Sequence, residues 1–125
     1  MANQAKVDPK LGTVSWSLSV SNLKLGVYRA RLFDASGKVL EPWNDQRTDD
    51  SIPDKFDMKT APDKLPGCTL WWQAVISDPN DEGGPFVCVV TIEQNRTALC
   101  QDAVPGNIEA GSGQLKSIGD QIKFI

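Results

Sequence analysis

Three groups of side chains have the types and spacing to do chemistry. Asp78, Asn80, Asp81 and Glu82 fall within one short polar stretch followed by Gly83 and Gly84. Oxygen ligands this close, beside a turn that glycine can make, suit a hard cation such as Ca²⁺. The EF-hand spacing is not met, with no glutamate at the twelfth position, and an acidic tip between strands is also ordinary solvated surface. A second group, Asp45, Asp49, Asp50, Asp54 and Asp57, surrounds a long polar segment. Paired carboxylates hydrolyse glycosides at the right separation, which sequence does not supply; a solvated acidic loop is the plainer reading. The third group is the tryptophans Trp16, Trp43, Trp71 and Trp72, which offer flat apolar platforms.

Trp71 and Trp72 are adjacent in an extended run, so they point to opposite faces of a strand. If Trp72 joins Leu70 and Ala74 in the core, Trp71 shares the other face with Gln73 and Val75. The next run presents Val87, Val89 and Thr91 on its corresponding face. The expected binding surface is therefore a patch of Trp71, Val75, Val87 and Val89, with Trp43 as a further candidate in its loop. An exposed apolar patch of this kind marks a protein, glycan or lipid contact. The plainer alternative is that other structure covers it.

What is missing narrows the chemistry. The chain has no histidine, which excludes a Ser-His-Asp triad, a Cys-His pair and histidine metal ligands. No catalytic residue and no cofactor is assigned, and the enzyme reading is disfavoured. A net charge of −3 argues against a nucleic-acid-binding protein, because phosphate neutralisation needs surplus Lys and Arg. Arg29 and Arg31, sharing a strand face with Val27 and Phe33, read as a solvated face. The cysteines Cys68, Cys88 and Cys100 are odd in number and lack metal spacing. Cys88 alternates with Phe86 and Val90 and is expected to be a buried thiol, whereas Cys68 and Cys100 lie near strand ends and are candidates for one bridge.

The elements that must position these residues are strands. Residues 69–94 hold two period-two runs, Leu70, Trp72, Ala74, Ile76 and then Phe86, Cys88, Val90, Ile92, separated by a Pro- and Gly-containing break. Alternation puts every second side chain on one face, and the stretch reads as a long antiparallel hairpin at the centre of the core. Val14, Trp16, Leu18 and Val20 alternate with serines, the pattern of a strand with one wet face. Tyr28, Ala30 and Leu32 predict a strand over 27–33 that returns through Asp34-Ala35-Ser36-Gly37-Lys38, a turn in which Asp bonds its own backbone and Gly allows a positive φ. Residues 41–54 read as a long loop, 54–60 as a strand, 61–67 as a turn or one-turn helix, and Asn95-Arg96 as a two-residue turn into a strand over 97–101. Asn95-Arg96-Thr97 is also a glycosylation sequon. Residues 102–113, with Pro105 and three glycines, read as a flexible connector; 115–118 and 121–125 as short closing strands; and 1–12 as a loose lead-in.

At 125 residues the expectation is a single domain. About seven short strands with turn signals between them predict an all-β fold, a two-layer antiparallel β-sandwich of immunoglobulin-like or jelly-roll-like architecture. No apolar run reaches the length of a membrane-spanning helix. The polar start lacks the apolar centre of a signal peptide, which fits a cytoplasmic protein or a mature secreted domain. The expected function is a non-enzymatic interaction module that binds a protein partner or self-associates through an apolar sheet face. The alternative is a lectin-type carbohydrate-binding domain, assisted by calcium, in which Trp43 and Trp71 stack on sugar rings.

Overall fold

The structure is a computed structural model that describes residues 3–21, 25–42, 46–48 and 54–125. Among the described residues the chain forms ten strands: β1 (Asn3–Ala5), β2 (Val14–Val20), β3 (Leu25–Phe33), β4 (Val39–Pro42), β5 (Gln46–Thr48), β6 (Asp54–Asp57), β7 (Thr69–Ser77), β8 (Gly84–Gln94), β9 (Thr97–Ile108) and β10 (Lys116–Phe124). A single turn of 3-10 helix, Pro62–Lys64, precedes β7. The strands make two packed sheets, β1-β10-β7-β3-β4 with β5 also on β3, and β6-β2-β8-β9. The all-β sandwich expected from the alternation is thus the observed architecture. Among the described residues, no helix is long and apolar enough to cross a membrane.

The alternating residues fill the space between the sheets. Tyr28, Ala30, Leu32, Leu70, Trp72, Ala74 and Ile76 of the larger sheet face Trp16, Leu18, Phe86, Cys88, Val90 and Ile92 of the smaller, all buried. Trp16 stacks on Phe56 at 4.8 Å between ring centroids and meets Tyr28 edge-on at 5.8 Å. Cys88 is fully buried, and desolvation pushes its thiol up to about 12.

Four expectations are corrected. First, residues 69–94 do not form a hairpin. β7 pairs with β3 and β10, whereas β8 pairs with β2 and β9. The break between them is an arch that carries the chain from one sheet to the other. Alternation determines which side chains turn inward, but not which strand lies alongside. Here the apolar sides of β7 and β8 face each other across the core. Second, residues 102–108 are not a connector but the second half of β9. That strand lies at a sheet edge, so Pro105 costs no ladder bond on its outer side. Gly106 stands opposite Phe86, and a Cβ there would lie 2.3 Å from Phe86 Cζ, so the ring occupies the space a side chain would need. Third, the two closing strands are one: β10 runs through Gly119, where a Cβ would come within 2.7 Å of the Trp72 carbonyl oxygen. Fourth, the lead-in is anchored. β1 pairs in parallel with β10, and the buried Gln94 side chain accepts from Asp8 N–H while donating to the carbonyls of Asp8 and Gly12.

The turn chemistry holds as read. Asp34 Oδ1 accepts from the backbone N–H of Ser36 and Lys38 and from Ser36 Oγ, and these bonds hold its carboxyl below the usual range. Asn95 and Arg96 both take positive φ, 51° and 63°, the two-residue turn whose twist matches antiparallel strands. All three cysteines are free. The expected Cys68–Cys100 bridge is therefore not formed.

Candidate functional site

The inward half of β3, β7 and β10 is used up by the core, and period two leaves the other half on the outer face of the larger sheet. The registers arrange these outward residues in rows across three strands: Val27–Val75–Ser117, Arg29–Gln73–Gly119, Arg31–Trp71–Gln121 and Phe33–Thr69–Lys123. Trp71 is 48% exposed although it sits on a strand paired on both sides. Phe33 meets its ring edge-on at 5.6 Å, a contact that restrains the indole plane. Arg29 donates from Nε and Nη2 to Gln73 Oε1 at 3.1 and 2.9 Å. Because Gly119 has no side chain, the surface dips beside Gln73. A groove of about 970 Å³ lies there between Trp71 and Val75, and a smaller hollow of about 250 Å³ lies against Arg31 and Phe33.

Of the residues expected to form one apolar patch, Trp71 and Val75 come together on this face. Val87 and Val89 do not join them. They lie on the outer face of the smaller sheet, on the far side of the sandwich, because the arch places β8 there. In that sheet Val87 is opposite Pro105, and Val89 is opposite Ser19 and Ala103, a flat area of small side chains. Trp43 lies outside the described residues. Arg29, Arg31, Phe33, Gln73 and Gln121 were not among the candidates. The signal for the first four was present in the strands 27–33 and 69–77, as the positions between the buried ones; Gln121 lies on β10.

The acidic stretch 78–82 serves its own turn. Asp78 Oδ2 accepts from Gly83 N–H at 2.6 Å, the Asp78 carbonyl accepts from Asp81 N–H, and the Asp81 carbonyl accepts from Gly111 N–H. Asp78 and the Asp81 backbone are thus used in the turn, and Asn80 and Glu82 lie exposed beside them. Among the described residues, no three His, Cys, Asp or Glu gather to hold a metal ion. Of the second acidic group, Asp57 stands opposite Ser15 and Asp54 opposite Leu18 in the β6–β2 register; Asp45, Asp49 and Asp50 lie outside the described residues.

A carboxylate pair does form elsewhere. Asp102 on β9 is buried and accepts from Trp72 Nε1 at 3.0 Å. Burial pushes its carboxyl above the usual range; the indole bond opposes that, and the neighbouring Asp120 carboxylate reinforces it. Asp120 is itself bonded by Asn3 Nδ2 at 3.2 Å. This cluster clamps β9 to β10 and β1 at one edge of the sandwich. By fixing Trp72 inward it helps hold Trp71 outward, but it opens onto no groove of its own.

No protein-family model matches the chain, and no curated protein matches it. A solved structure, that of a DUF4425 family protein from Bacteroides ovatus, is similar over 90% of this chain and 96% of that one, at 10% identity and a TM-score of 0.47. No statement about this chain's function follows from that likeness.

Proposed function

We propose that this protein is a non-enzymatic interaction module that binds a protein partner on the outer face of its larger sheet. The observation that supports this most is Trp71: a half-exposed tryptophan, braced by Phe33, on a strand paired on both sides. Tryptophan and arginine are the residues most enriched at the energetic centres of protein interfaces. A ring already held in place loses little conformational freedom on binding. An isologous dimer needs a self-complementary patch, and the described outward positions of this face carry Arg29, Arg31 and Lys123 with no Asp or Glu to pair them. A different protein therefore fits better than a second copy.

The test is a pair of photo-crosslinking residues, one replacing Val75 and one replacing Val87, expressed in the source cells. Adducts with another protein are expected from position 75 and not from 87, and Trp71→Asp should remove them while thermal melting shows the fold retained. Equal adducts from both positions would defeat the reading, as would adducts insensitive to Trp71.

A second reading, carbohydrate binding, is favoured by one feature: Gln73 and Gln121 place hydrogen-bonding amides beside the Trp71 indole along the groove. It is argued without calcium, because among the described residues no three His, Cys, Asp or Glu gather to hold a metal ion. Titrating neutral oligosaccharides while following tryptophan emission tests it, and flat titrations would remove it.

A further inference from the structure

The structure assigns a chemistry to the partner: we infer that the Trp71 face docks an acidic, apolar-containing peptide segment, whose carboxylates meet Arg29 and Arg31 and whose apolar side chains lie on Trp71, Val27 and Val75. This rests on the protein-binding reading above and deepens it.

The first argument is the sign of the face. The chain as a whole carries −3, yet the outward positions of β3, β7 and β10 hold Arg29, Arg31 and Lys123 and, among the described residues, no Asp or Glu. Asp120, which lines the groove, is opposite the buried Trp72 and is tied to Asn3. The described outward positions themselves thus carry only positive charge.

The second argument is unused donor capacity. Arg29 commits only Nε and one Nη2 donor to Gln73, and a guanidinium has five N–H donors in a fork that fits a carboxylate. Arg31 and Lys123 make no side-chain hydrogen bond or ion pair with a described residue. Gln73 fixes the Arg29 plane in advance, so a carboxylate would meet a pre-set fork beside the indole.

The third argument separates a peptide from other anions. Val27 and Val75 are opposite one another and exposed. Apolar side chains gain by covering them, whereas sugar hydroxyls or phosphates laid there would lose water without a bonding partner. Trp71 is the one half-exposed aromatic ring on the described face, and nucleic-acid strands are usually held by successive stacked rings.

The probes are short peptides with the same leucines and with Glu, Gln or Lys at the polar positions, together with an oligogalacturonate and an oligothymidylate. The readout is the Trp71 indole N–H resonance of the whole chain, assigned with Trp71→Phe, and the affinity from its titration. The Glu peptide should move that resonance and bind at least about tenfold more tightly than the Gln peptide, with the Lys peptide inert. Arg29→Gln with Arg31→Gln should erase the preference for Glu, with melting unchanged because both sites are exposed; Trp71→Ala should weaken every peptide. Equal binding of Glu and Gln peptides would overturn the acidic assignment and leave the protein-binding reading standing. A shift with the glycan or the oligonucleotide and none with the peptides would overturn the peptide as occupant. No shift with any probe would overturn the inference and count against the face itself.

Discussion

Gly106→Ala should destabilise the protein, and the amount follows from one distance. The new Cβ would sit 2.3 Å from Phe86 Cζ and 2.7 Å from Cε1. Reaching ordinary contact requires the ring to retreat by roughly 1 Å in a close-packed interior. Phe86 is 1% exposed, so it retreats into its neighbours, and overpacking of that kind costs about 1–3 kcal/mol. Gly106 has no positive φ, so alanine adopts the backbone without strain and recovers about 0.4–1 kcal/mol by restricting the unfolded chain. The repulsion wins, for a net loss of about 1–2 kcal/mol. In a domain of this size that lowers Tm by roughly 4–8 °C. Urea unfolding measures it, and Phe86→Leu supplies the control: in the double variant the shortened side chain makes room, so the two losses should fall short of additive by at least about 0.5 kcal/mol. A neutral Gly106→Ala, or strict additivity, would refute the ring-over-glycine contact and with it the continuation of β9 past Gln101.

Three further outcomes are expected. Trp72→Ala should cost about 3–5 kcal/mol, whereas Trp71→Ala should cost about 1 kcal/mol or less, since one ring is buried and the other half exposed; chemical denaturation of both variants decides it. Because Asp102 has its carboxyl raised in the folded state, its contribution to stability is fully present below the ordinary carboxylate range and is lost as pH rises through the raised value. Asp102→Asn should therefore flatten that part of the stability–pH profile, and an unchanged profile would contradict the shift. Cys88, fully buried with a thiol pushed up to about 12, should resist iodoacetamide at pH 8 while the partly exposed Cys100 reacts, as intact-mass and peptide mapping would show.

The sandwich was legible because alternation is a local property. Val14–Val20 and residues 27–33, 69–77 and 84–94 each carry a clean period of two, and the residues read as inward are buried. What failed was of two kinds. Pro105, Gly106 and Gly119 read as breaks because each is unfavourable in a strand by itself. All three are tolerated for reasons in other segments: an open sheet edge, the Phe86 ring and the Trp72 backbone. The pairing of β7 with β3 and β10 instead of β8 is also a long-range outcome, and it split the expected patch in two. The alternation turns Trp71 and Val75 outward, and both are exposed. Arg29 and Arg31 were also placed on an outward face, but whether that face adjoins Trp71 depends on the β3–β7 register, which no single strand encodes.

The arch between β7 and β8 also governs how the chain reaches its fold. Strands consecutive in sequence usually find one another quickly, because the loop to be closed is short. Here that help is confined to the β3–β4 and β8–β9 hairpins. The remaining ladders among the described residues include those that join Val14 with Gln94, Gln73 with Arg29, Leu70 with Ile122, Ser15 with Asp57 and Asn3 with Ile122. A topology dominated by such distant pairings folds on the millisecond-to-second scale. The groove beside Trp71 is assembled from three segments far apart in the chain, so none of them holds it alone. Ligand recognition is therefore a late property, absent from any fragment that lacks β10 and acquired together with the completed sheet.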